Sequence, residues 1–308
     1  MMIDKALPAG DRKPSFTAFG QAVAAHACDP GLYLVATPIG NLGDISLRAL
    51  ETLAVVDCIA CEDTRVTRKL TERYGIGTPL MAYHEHNAAE ALPKIIARLG
   101  EGQSVALVSD AGTPLISDPG YRLVRAAVEA GHAVTALPGA SAVLTALSLA
   151  ALPTDRFFFE GFLPPKQGAR QKRIAELVSI PATLVLFESG PRLGASLADL
   201  AAGLGPRAAS VCRELTKLHE EIRRGDLASL ANDYADGGET RGEIVIVIAP
   251  PADVETADTD VDELLRNALA RVSVKDAVGE VALATGRARR DVYQRALDLA
   301  KDGGDGER

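Results

Sequence analysis

The chain has 308 residues, of which 47% are hydrophobic and 24% are charged, so it is long and apolar enough to bury a sizeable core. Its formal net charge of −8 argues against a protein that coats nucleic acid through a dominating positive surface, which leaves only local basic patches for that purpose. No apolar run approaches the roughly 20 residues of a membrane-spanning helix, and no signal-peptide core is present near the start, so we expect a cytoplasmic protein.

A flexible extension is expected over residues 1–30, where charged residues are scattered among Pro and Gly. From Gly31 to about residue 150 the pattern is strand, loop and helix, repeated, with Ser46 capping the first helix. The predicted strands of this series cover 31–36, 56–61, 80–83, 104–108 and 133–137. Short β-α units of this kind build a mainly parallel, doubly wound α/β sheet.

A second series of strands and helices follows over residues 151–250. It opens on an aromatic-rich strand at 156–162 and closes on an almost purely β-branched strand at 243–249. Its longer, hairpin-like spacings predict a mixed sheet. We therefore expect two α/β domains, 31–150 and 151–250, with a cleft between them.

The C-terminal part is expected to be helical. Residues 251–260 are acidic and lack large apolar side chains, which is typical of a solvated linker. Residues 261–308 then predict a small helical domain, with a break at Thr285–Arg287 and Ser273 capping the helix before it. Two short helices with a Gly between them resemble a helix-turn-helix, and a packing or dimerisation pair fits the pattern equally well.

Three strand ends are rich in Gly, Pro and small polar residues, at 37–43, 109–120 and 138–142. Ligands of open α/β sheets bind at such carboxyl ends, where small residues let the backbone approach a ligand. Ordinary turns use the same residue types, so each loop alone is a weak signal. No dinucleotide-binding fingerprint, P-loop or nucleophile elbow is present, which removes the main support for a dehydrogenase, an NTPase or an α/β-hydrolase.

Two polar constellations could hold a metal, and neither is expected to. Cys58 and Cys61 have C-x-x-C spacing but lie within a predicted strand, with no second pair to complete a zinc site, so they are interpreted as reduced core cysteines. His84 and His86 would need a third ligand.

Charged residues cluster at two further places. Glu62, Asp63 and Arg65 lie where a strand meets a helix, so they either cap the helix and pair with each other or present a base beside an anionic substrate. A basic stretch at 166–173 and an arginine cluster at 287–290 raise the expectation of a polyanionic substrate.

Five ordered motifs together resemble one enzyme family. They are Ala36–Asp44, Cys61–Arg65, Ser109–Gly120, Pro138–Ala142 and Arg241–Val245. The chain is similar, from about residue 31 to 249, to the ribosomal RNA small-subunit methyltransferase I branch of the tetrapyrrole-methylase-like, class III S-adenosylmethionine enzymes. It departs from the family pattern at Ala36, where Gly would be expected, and in its first 30 residues, which have no recognised counterpart.

The resemblance implies two α/β domains of the tetrapyrrole methylase type with S-adenosylmethionine in the cleft between them, and a small C-terminal helical domain. It implies methyl transfer to the ribose 2′-oxygen of cytidine-1402 in 16S rRNA, with the small ribosomal subunit as partner and, by analogy, a homodimer.

The resemblance also implies site residues. Cofactor contacts are expected at Pro38, Asp110, Gly112, Thr113, Ile116, Ser117, Ala140, Ser141, Phe187, Ala208, Gly242, Glu243 and Ile244. Base candidates are Glu62, Asp63 and His84, with Arg65 contacting an alkoxide or phosphate. RNA contacts are expected at Lys166, Arg170, Arg173, Arg287, Arg289 and Arg290.

Two alternatives stay open. A methyltransferase acting on a small anionic tetrapyrrole would use the same cofactor cleft, although it would not require the C-terminal arginine-rich helices. A non-catalytic ribosome-binding module would transfer no methyl group to any acceptor.

Overall fold

The computed structural model describes residues 14–235, 240–251, 258–285 and 288–302. The chain divides into two compact units, residues 1–250 and 251–308. None of the helices within the described ranges combines the length and the apolar character that are needed to cross a bilayer.

The described chain begins with an antiparallel hairpin of β1 (Ser15–Ala18) and β2 (Gln21–Ala24). Phe16 is only 4% exposed and belongs to the same core cluster as Leu50. Residues 1–13 lie outside the described residues. For the hairpin, however, the expectation of a flexible extension is wrong, because β1 buries apolar side chains in the core of the larger unit.

The first sheet of the larger unit has five parallel strands. They are β3 (Gly31–Val35), β4 (Cys58–Cys61), β5 (Leu80–Ala82), β6 (Ser104–Val108) and β7 (Val134–Leu137), in the spatial order β5-β4-β6-β3-β7. Cys61 pairs with Val108, so the carboxyl ends of β4 and β6 lie level at one edge. Cys58 and Cys61 are buried free thiols within β4, as the sequence predicts.

Helices cover both faces of this sheet. They are α1 (Leu47–Val55), α2 (Thr64–Arg73), α3 (Ala88–Gly100) and α4 (Tyr121–Glu129). One apolar cluster lies under α1 and the hairpin, and a second lies under α3 and α4. All five residues of β6 are buried, which explains its uninterrupted apolar sequence. We call this sheet with its helices the first lobe.

The second sheet is mixed, as predicted. Its strands are β8 (Phe157–Phe162), β9 (Thr183–Ser189), β10 (Ala208–Arg213), β11 (Glu221–Asp226) and β12 (Glu243–Ile248), in the order β11-β10-β12-β9-β8. β8 and β9 are parallel and the other pairs are antiparallel. With α5 (Ala142–Ala150), α6 (Gln167–Leu177), α7 (Leu193–Leu204) and α8 (Leu227–Asp233) it forms the second lobe.

Helix α5 joins the two lobes. It follows the last strand of the first sheet, yet its side chains Val143 and Leu147 pack with Val185 and Val247 of the second sheet. Ile39 of the first lobe belongs to the same cluster. The sequence places α5 in the 31–150 domain, whereas in the structure it packs on the sheet that follows it.

The smaller unit is a three-helix bundle of α9 (Asp258–Leu269), α10 (Val274–Thr285) and α11 (Arg289–Asp302). Ser273 caps α10, since its Oγ accepts from Asp276 N over 3.3 Å. Buried side chains from all three helices form its core. Arg295 of α11 donates to Asp262 of α9 through two bonds of 2.6 and 2.7 Å, which ties the first helix to the last.

One predicted RNA contact is part of the second-lobe interior. Arg170 is 5% exposed and pairs with Asp199, which is 7% exposed, over 2.6 Å. Gln171 donates to the same carboxylate over 2.9 Å. The expectation that Arg170 contacts RNA is wrong, because its guanidinium is buried and committed to a buried carboxylate.

Candidate active site

Hydrogen bonds connect the three strand-end loops of the first lobe. Thr37 N donates to Gly112 O over 2.9 Å and Gly112 N donates to Thr37 O over 3.0 Å, forming an isolated β-bridge between the loops after β3 and β6. Thr113 Oγ1 donates to Ala140 O, over 3.2 Å, in the loop after β7. The three strand ends at which the sequence predicts ligand binding therefore meet at one edge of the sheet.

Small residues allow this close approach. A Cβ at Gly139 would lie 2.8 Å from the Cβ of Ala36, closer than real side chains come. Gly112 has φ +81°, a conformation that favours glycine, and a Cβ there would lie 3.3 Å from Ile39 Cγ2. The loops thus leave no room for larger side chains between their backbones.

A cavity of about 320 Å³ opens between the two lobes at these loops. Residues of the first lobe and its following turn line one side: Ile39, Ala111, Gly112, Thr113, Ile116, Ser117, Asp118 and Ser141. Residues of the second lobe line the other: Ala142, Val143, Phe162, Phe187, Glu188, Ser189, Leu215, Gly242, Glu243, Ile244 and Val245. The volume is in the usual range for a small-molecule site, about 300–1,000 Å³.

The lining suits a ligand with a flat apolar part and cationic groups. Aliphatic and aromatic side chains form much of the wall, and hydroxyls from four residues add hydrogen-bonding groups. Three carboxyl groups also line it, of which Glu188 pairs with Arg192 over 3.4 Å and Glu243 pairs with Lys217 over 3.0 Å. The hydroxyls are those of Thr113, Ser117, Ser141 and Ser189, and the carboxyls those of Asp118, Glu188 and Glu243. This donor set, with the glycine-lined backbone, fits the predicted cofactor S-adenosylmethionine.

Most of the predicted cofactor residues line the cavity. Those that do are Gly112, Thr113, Ile116, Ser117, Ser141, Phe187, Gly242, Glu243 and Ile244. Pro38, Asp110 and Ala140 lie beside lining residues without lining the cavity themselves. Ala208 is misplaced in the prediction: it pairs with Asp226 at the far end of β10, whereas the cavity lies near the opposite end, where Arg213 pairs with Ile244.

Several lining residues have no signal in the sequence. Phe162, Glu188 and Leu215 reach the cavity only because the second sheet packs against the first lobe. Glu188 is 3% exposed, and its carboxylate accepts from Ser189 N over 2.8 Å and Ser196 Oγ over 2.6 Å. Asp118 lies within the recognised 109–120 loop, so it could have been named from the same signal.

Three carboxyl groups near the carboxyl edge of the first sheet have raised pKa values. Burial raises the pKa of Asp118 to about 6, and the charges of Glu62 and Asp110 add to this while Ser109 opposes it. Burial, followed by the charge of Asp110, raises the pKa of Glu62. Burial also raises the pKa of Asp110. A carboxylate whose pKa is raised is a stronger base than an ordinary carboxylate.

Asp63 and Arg65 adopt the structural alternative that the sequence left open. Asp63 caps α2, accepting from Arg65 N over 2.8 Å, and its carboxylate pairs with the Arg65 guanidinium over 2.6 Å. The Arg65 guanidinium lowers the pKa of Asp63 to about 2, so this carboxylate is a weak base. Asp63 N also donates to Asp110 Oδ1 over 3.0 Å, which connects the cap to the loop after β6.

His84 follows β5 at the same edge of the sheet. Its backbone N donates to Asn87 Oδ1 over 2.8 Å. Its Nδ1 is buried and has no hydrogen-bond partner among the residues that the structure describes. The electrostatic interaction of His84 with Glu62 opposes part of the rise in the Glu62 pKa, which indicates that the imidazole lies near the carboxyl groups.

The predicted RNA-binding side chains differ in whether they already pair with carboxylates of the protein. Arg173 donates to Glu160 over 2.6 and 2.7 Å and to Glu176 over 2.6 Å, so its three nitrogens are already committed to carboxylates. Lys166 is exposed at the start of α6. Arg289 and Arg290 are exposed at the start of α11. Arg287 lies outside the described residues.

Family models match both units of the chain. Residues 31–231 match tetrapyrrole (corrin/porphyrin) methylases, and residues 255–300 match the RsmI C-terminal HTH domain. The chain is 51% identical to "Ribosomal RNA small subunit methyltransferase I" of Mesorhizobium japonicum, over 92% of this chain and 97% of the relative. The chain belongs to this methyltransferase family, within the tetrapyrrole methylases. A second relative of the same name, from Erythrobacter litoralis, is 52% identical over 90% of this chain and 98% of its own.

Solved structures confirm the predicted fold. Uroporphyrin-III C-methyltransferase from Thermus thermophilus, complexed with S-adenyl homocysteine, aligns with a TM-score of 0.51 at 18% identity, over 71% of this chain and 97% of that one. Diphthine synthase aligns with a TM-score of 0.55 at 20% identity, over 71% of this chain and 89% of that one. At these identities the likeness concerns the fold alone.

Replacing Asp118 tests the electrostatics of the site. Because the pKa of Asp118 is raised in the folded protein to about 6, the wild-type carboxyl favours folding when protonated and loses this advantage as the pH rises through 6. The free energy of unfolding of Asp118→Asn, relative to that of the wild type, should therefore be about 1 kcal/mol higher at pH 8 than at pH 4, after discounting for partial exposure. Urea denaturation at both pH values measures this difference.

Asp63→Asn is the matched control with the opposite sign. Its pKa is lowered in the folded protein by Arg65, so this variant should lose stability at pH 8. A pH-independent difference between Asp118→Asn and wild type would contradict the raised pKa.

Proposed function

We propose that this chain methylates the ribose 2′-oxygen of cytidine-1402 in 16S rRNA, with S-adenosylmethionine as the methyl donor. The observation that carries the proposal is similarity across both units: relatives named as ribosomal RNA small subunit methyltransferase I align over 90% or more of this chain. S-adenosylmethionine-dependent methylation of ribosomal RNA is the activity of the family to which the chain belongs. The choice of cytidine-1402 and of its 2′-oxygen as the acceptor rests on the motif resemblance.

The smaller unit favours an RNA acceptor over a tetrapyrrole. The uroporphyrin-III C-methyltransferase is almost fully covered, at 97%, by 71% of this chain. In this chain the match to tetrapyrrole methylases covers residues 31–231, and residues 255–300 match the RsmI C-terminal HTH domain instead. Arg289 and Arg290 are exposed there, which supports contact with a phosphate backbone.

The chain's own residues position the reactants. When bound, S-adenosylmethionine supplies a methyl carbon on a sulfonium sulfur. The apolar walls of the cavity exclude water, and Asp118 and the ion-paired Glu188 place carboxyl groups beside the ligand. The protein must hold the acceptor oxygen about 3–3.5 Å from the methyl carbon and in line with the leaving sulfur.

A carboxyl group of the first lobe completes this chemistry. A ribose hydroxyl is a weak acid, so a base that accepts its proton as the oxygen attacks should accelerate transfer. Asp118 and Glu62 have raised pKa values and lie at the cavity and beside it, whereas Asp63 is held ionised by Arg65. Asp118 and Glu62 are therefore better base candidates than Asp63, and His84 beside them is a further candidate.

A small-subunit substrate implies a cytoplasmic location, and a homodimer stays a prediction that light scattering can test. The decisive experiment uses methyl-tritiated S-adenosylmethionine and small ribosomal subunits from a strain that lacks this modification. We expect label in 16S rRNA at the 2′-oxygen of cytidine-1402, located by nuclease digestion and mass spectrometry. Label in a corrin precursor but not in rRNA would favour the tetrapyrrole reaction. Label in neither acceptor would favour a non-catalytic ribosome-binding module.

Charge reversal in α11 tests the RNA-binding role of the smaller unit. The double variant Arg289→Glu/Arg290→Glu should raise KM for small subunits by at least tenfold in low salt, because two phosphate contacts become repulsive. S-adenosylmethionine affinity, measured by calorimetry, should not change.

The control is Lys94→Glu, which reverses an exposed cation of α3 in the first lobe. It should alter KM for small subunits by less than twofold. Equal KM values for the α11 double variant and the wild type would refute the RNA contact.

A further inference from the structure

Two large apolar side chains of the cavity are exposed, whereas its other large aliphatic side chains are buried and Phe187 is half-buried. Phe162 of the second lobe is 56% exposed and Ile116 of the first lobe is 43% exposed. Leu215 and Ile244, which line the same cavity, are 6% and 2% exposed. Phe162 and Ile116 therefore lie at the mouth of the cavity.

Backbone distortions present both side chains. β8 shifts its register against β9 between Phe159 and Gly161, and Gly161 has φ +76°. An irregularity of this kind re-aims the side chain that follows it. On the opposite lobe, Leu115 and Ser117 flank Ile116 with φ of +74° and +63°. Non-glycine residues adopt such values at a cost in free energy, and they cluster at functional sites.

The two distorted segments lie against each other. A Cβ at Gly161 would be 3.1 Å from Ser117 Oγ, so glycine permits the contact between the lobes at this point. The exposed side chains are thus carried on neighbouring backbone segments from different lobes.

The Phe162 ring is held in place by neighbouring aromatic rings. It packs edge-on against Phe187 with 5.6 Å between ring centroids and an interplanar angle of 65°. Phe187 packs in turn against Phe159 at 4.9 Å and 68°. An aromatic ring held in this way, with more than half of its surface exposed, is a preformed stacking surface.

We infer that Phe162 stacks on the base of the acceptor nucleotide after that nucleotide leaves the RNA helix, with Ile116 as the facing apolar wall. This inference rests on the proposed function, since it needs an RNA acceptor. Enzymes that act on nucleotides within structured RNA splay them out and stack their bases on aromatic side chains. Stacking needs only a flat ring, so this contact holds the base without selecting its identity.

The alternative ligand for Phe162 is the adenine of the methyl donor, which is also a flat heteroaromatic ring. Exposure favours the acceptor. Leu215, Ile244 and Val143, which is 6% exposed, enclose the interior of the cavity, whereas Phe162 is exposed to solvent, where a macromolecular acceptor can reach it.

A single tryptophan tests the contact directly, because the chain contains no Trp. In Phe162→Trp, the tryptophan fluorescence should be quenched when small ribosomal subunits lacking the modification are added, and much less when S-adenosylmethionine alone is added. Phe157→Trp is the matched control: Phe157 lies at the other end of β8, is 45% exposed and lines a separate surface groove. It should show no specific quenching.

Kinetics of shortened side chains give the second measurement. Phe162→Ala should raise KM for small subunits about tenfold, which equals about 1.4 kcal/mol, and leave the Kd of S-adenosylmethionine within twofold of wild type. Phe162→Tyr should restore KM, while Phe162→Leu should not, because it keeps apolar bulk without a π face. Phe157→Ala should behave as wild type.

The outcomes separate this inference from the proposed function. If wild type methylates 16S rRNA but Phe162→Ala keeps a normal KM, or if it weakens S-adenosylmethionine binding instead, the stacking role is wrong and the methyl transfer stands. If wild type methylates no rRNA and subunits leave the Phe162→Trp fluorescence unchanged, both are wrong.

Discussion

Two reciprocal backbone hydrogen bonds between Thr37 and Gly112 hold the carboxyl edge of the first sheet in its working form. They join loops that leave neighbouring parallel strands, and Thr113 adds the loop after β7 by donating to Ala140 O. The backbones come this close only because Gly139 presents no side chain to Ala36. Every residue with which the first lobe lines the cavity is carried on these loops or in the turn beside them.

The second lobe completes the cavity through packing. Helix α5 leaves the first sheet and buries Val143 and Leu147 against the second sheet, which brings β9 and β12 to face the loops. The two lobes contribute different groups to the cavity. The first lobe supplies closely spaced backbone and carboxyl groups with raised pKa values, and the second lobe supplies most of the apolar wall. An acidic protein can still take a polyanionic substrate when its exposed cations are grouped, as Arg289 and Arg290 are.

Sequence patterns predicted the parts of this architecture that depend on local chemistry. Three of the five parallel strands, β3, β6 and β7, end in segments rich in Gly, Pro and small polar residues. These three strands and the loops that follow them could therefore be located from residue types alone. The mixed second sheet followed from spacing. The capping roles of Ser46 and Ser273 also follow from local rules, since a hydroxyl at a helix start satisfies free backbone amides.

The remaining features depend on contacts between segments that are distant in sequence. In the sequence, Arg170 belongs to a basic stretch that indicates exposed cations. In the structure it is buried, because it pairs with Asp199, 29 positions later. The sequence identifies Phe162 only as the last residue of an aromatic-rich strand, and the register shift and the packing of the lobes place it at the mouth of the cavity. The resemblance implies a cofactor contact at Ala208, but this residue lies at the end of β10 away from the cavity, because antiparallel pairing with β12 sets the direction of β10.

The most direct test of the account is a calorimetric titration of S-adenosylhomocysteine into the wild-type protein and into Gly139→Val. We expect saturable binding with one site per chain in the wild type and at least tenfold weaker binding in the variant, since a side chain at position 139 must push the loops apart. Circular dichroism and urea denaturation establish that the variant is folded. Equal affinity in the two folded proteins, or no heat of binding in the wild type, would contradict the claim that these loops form the donor site.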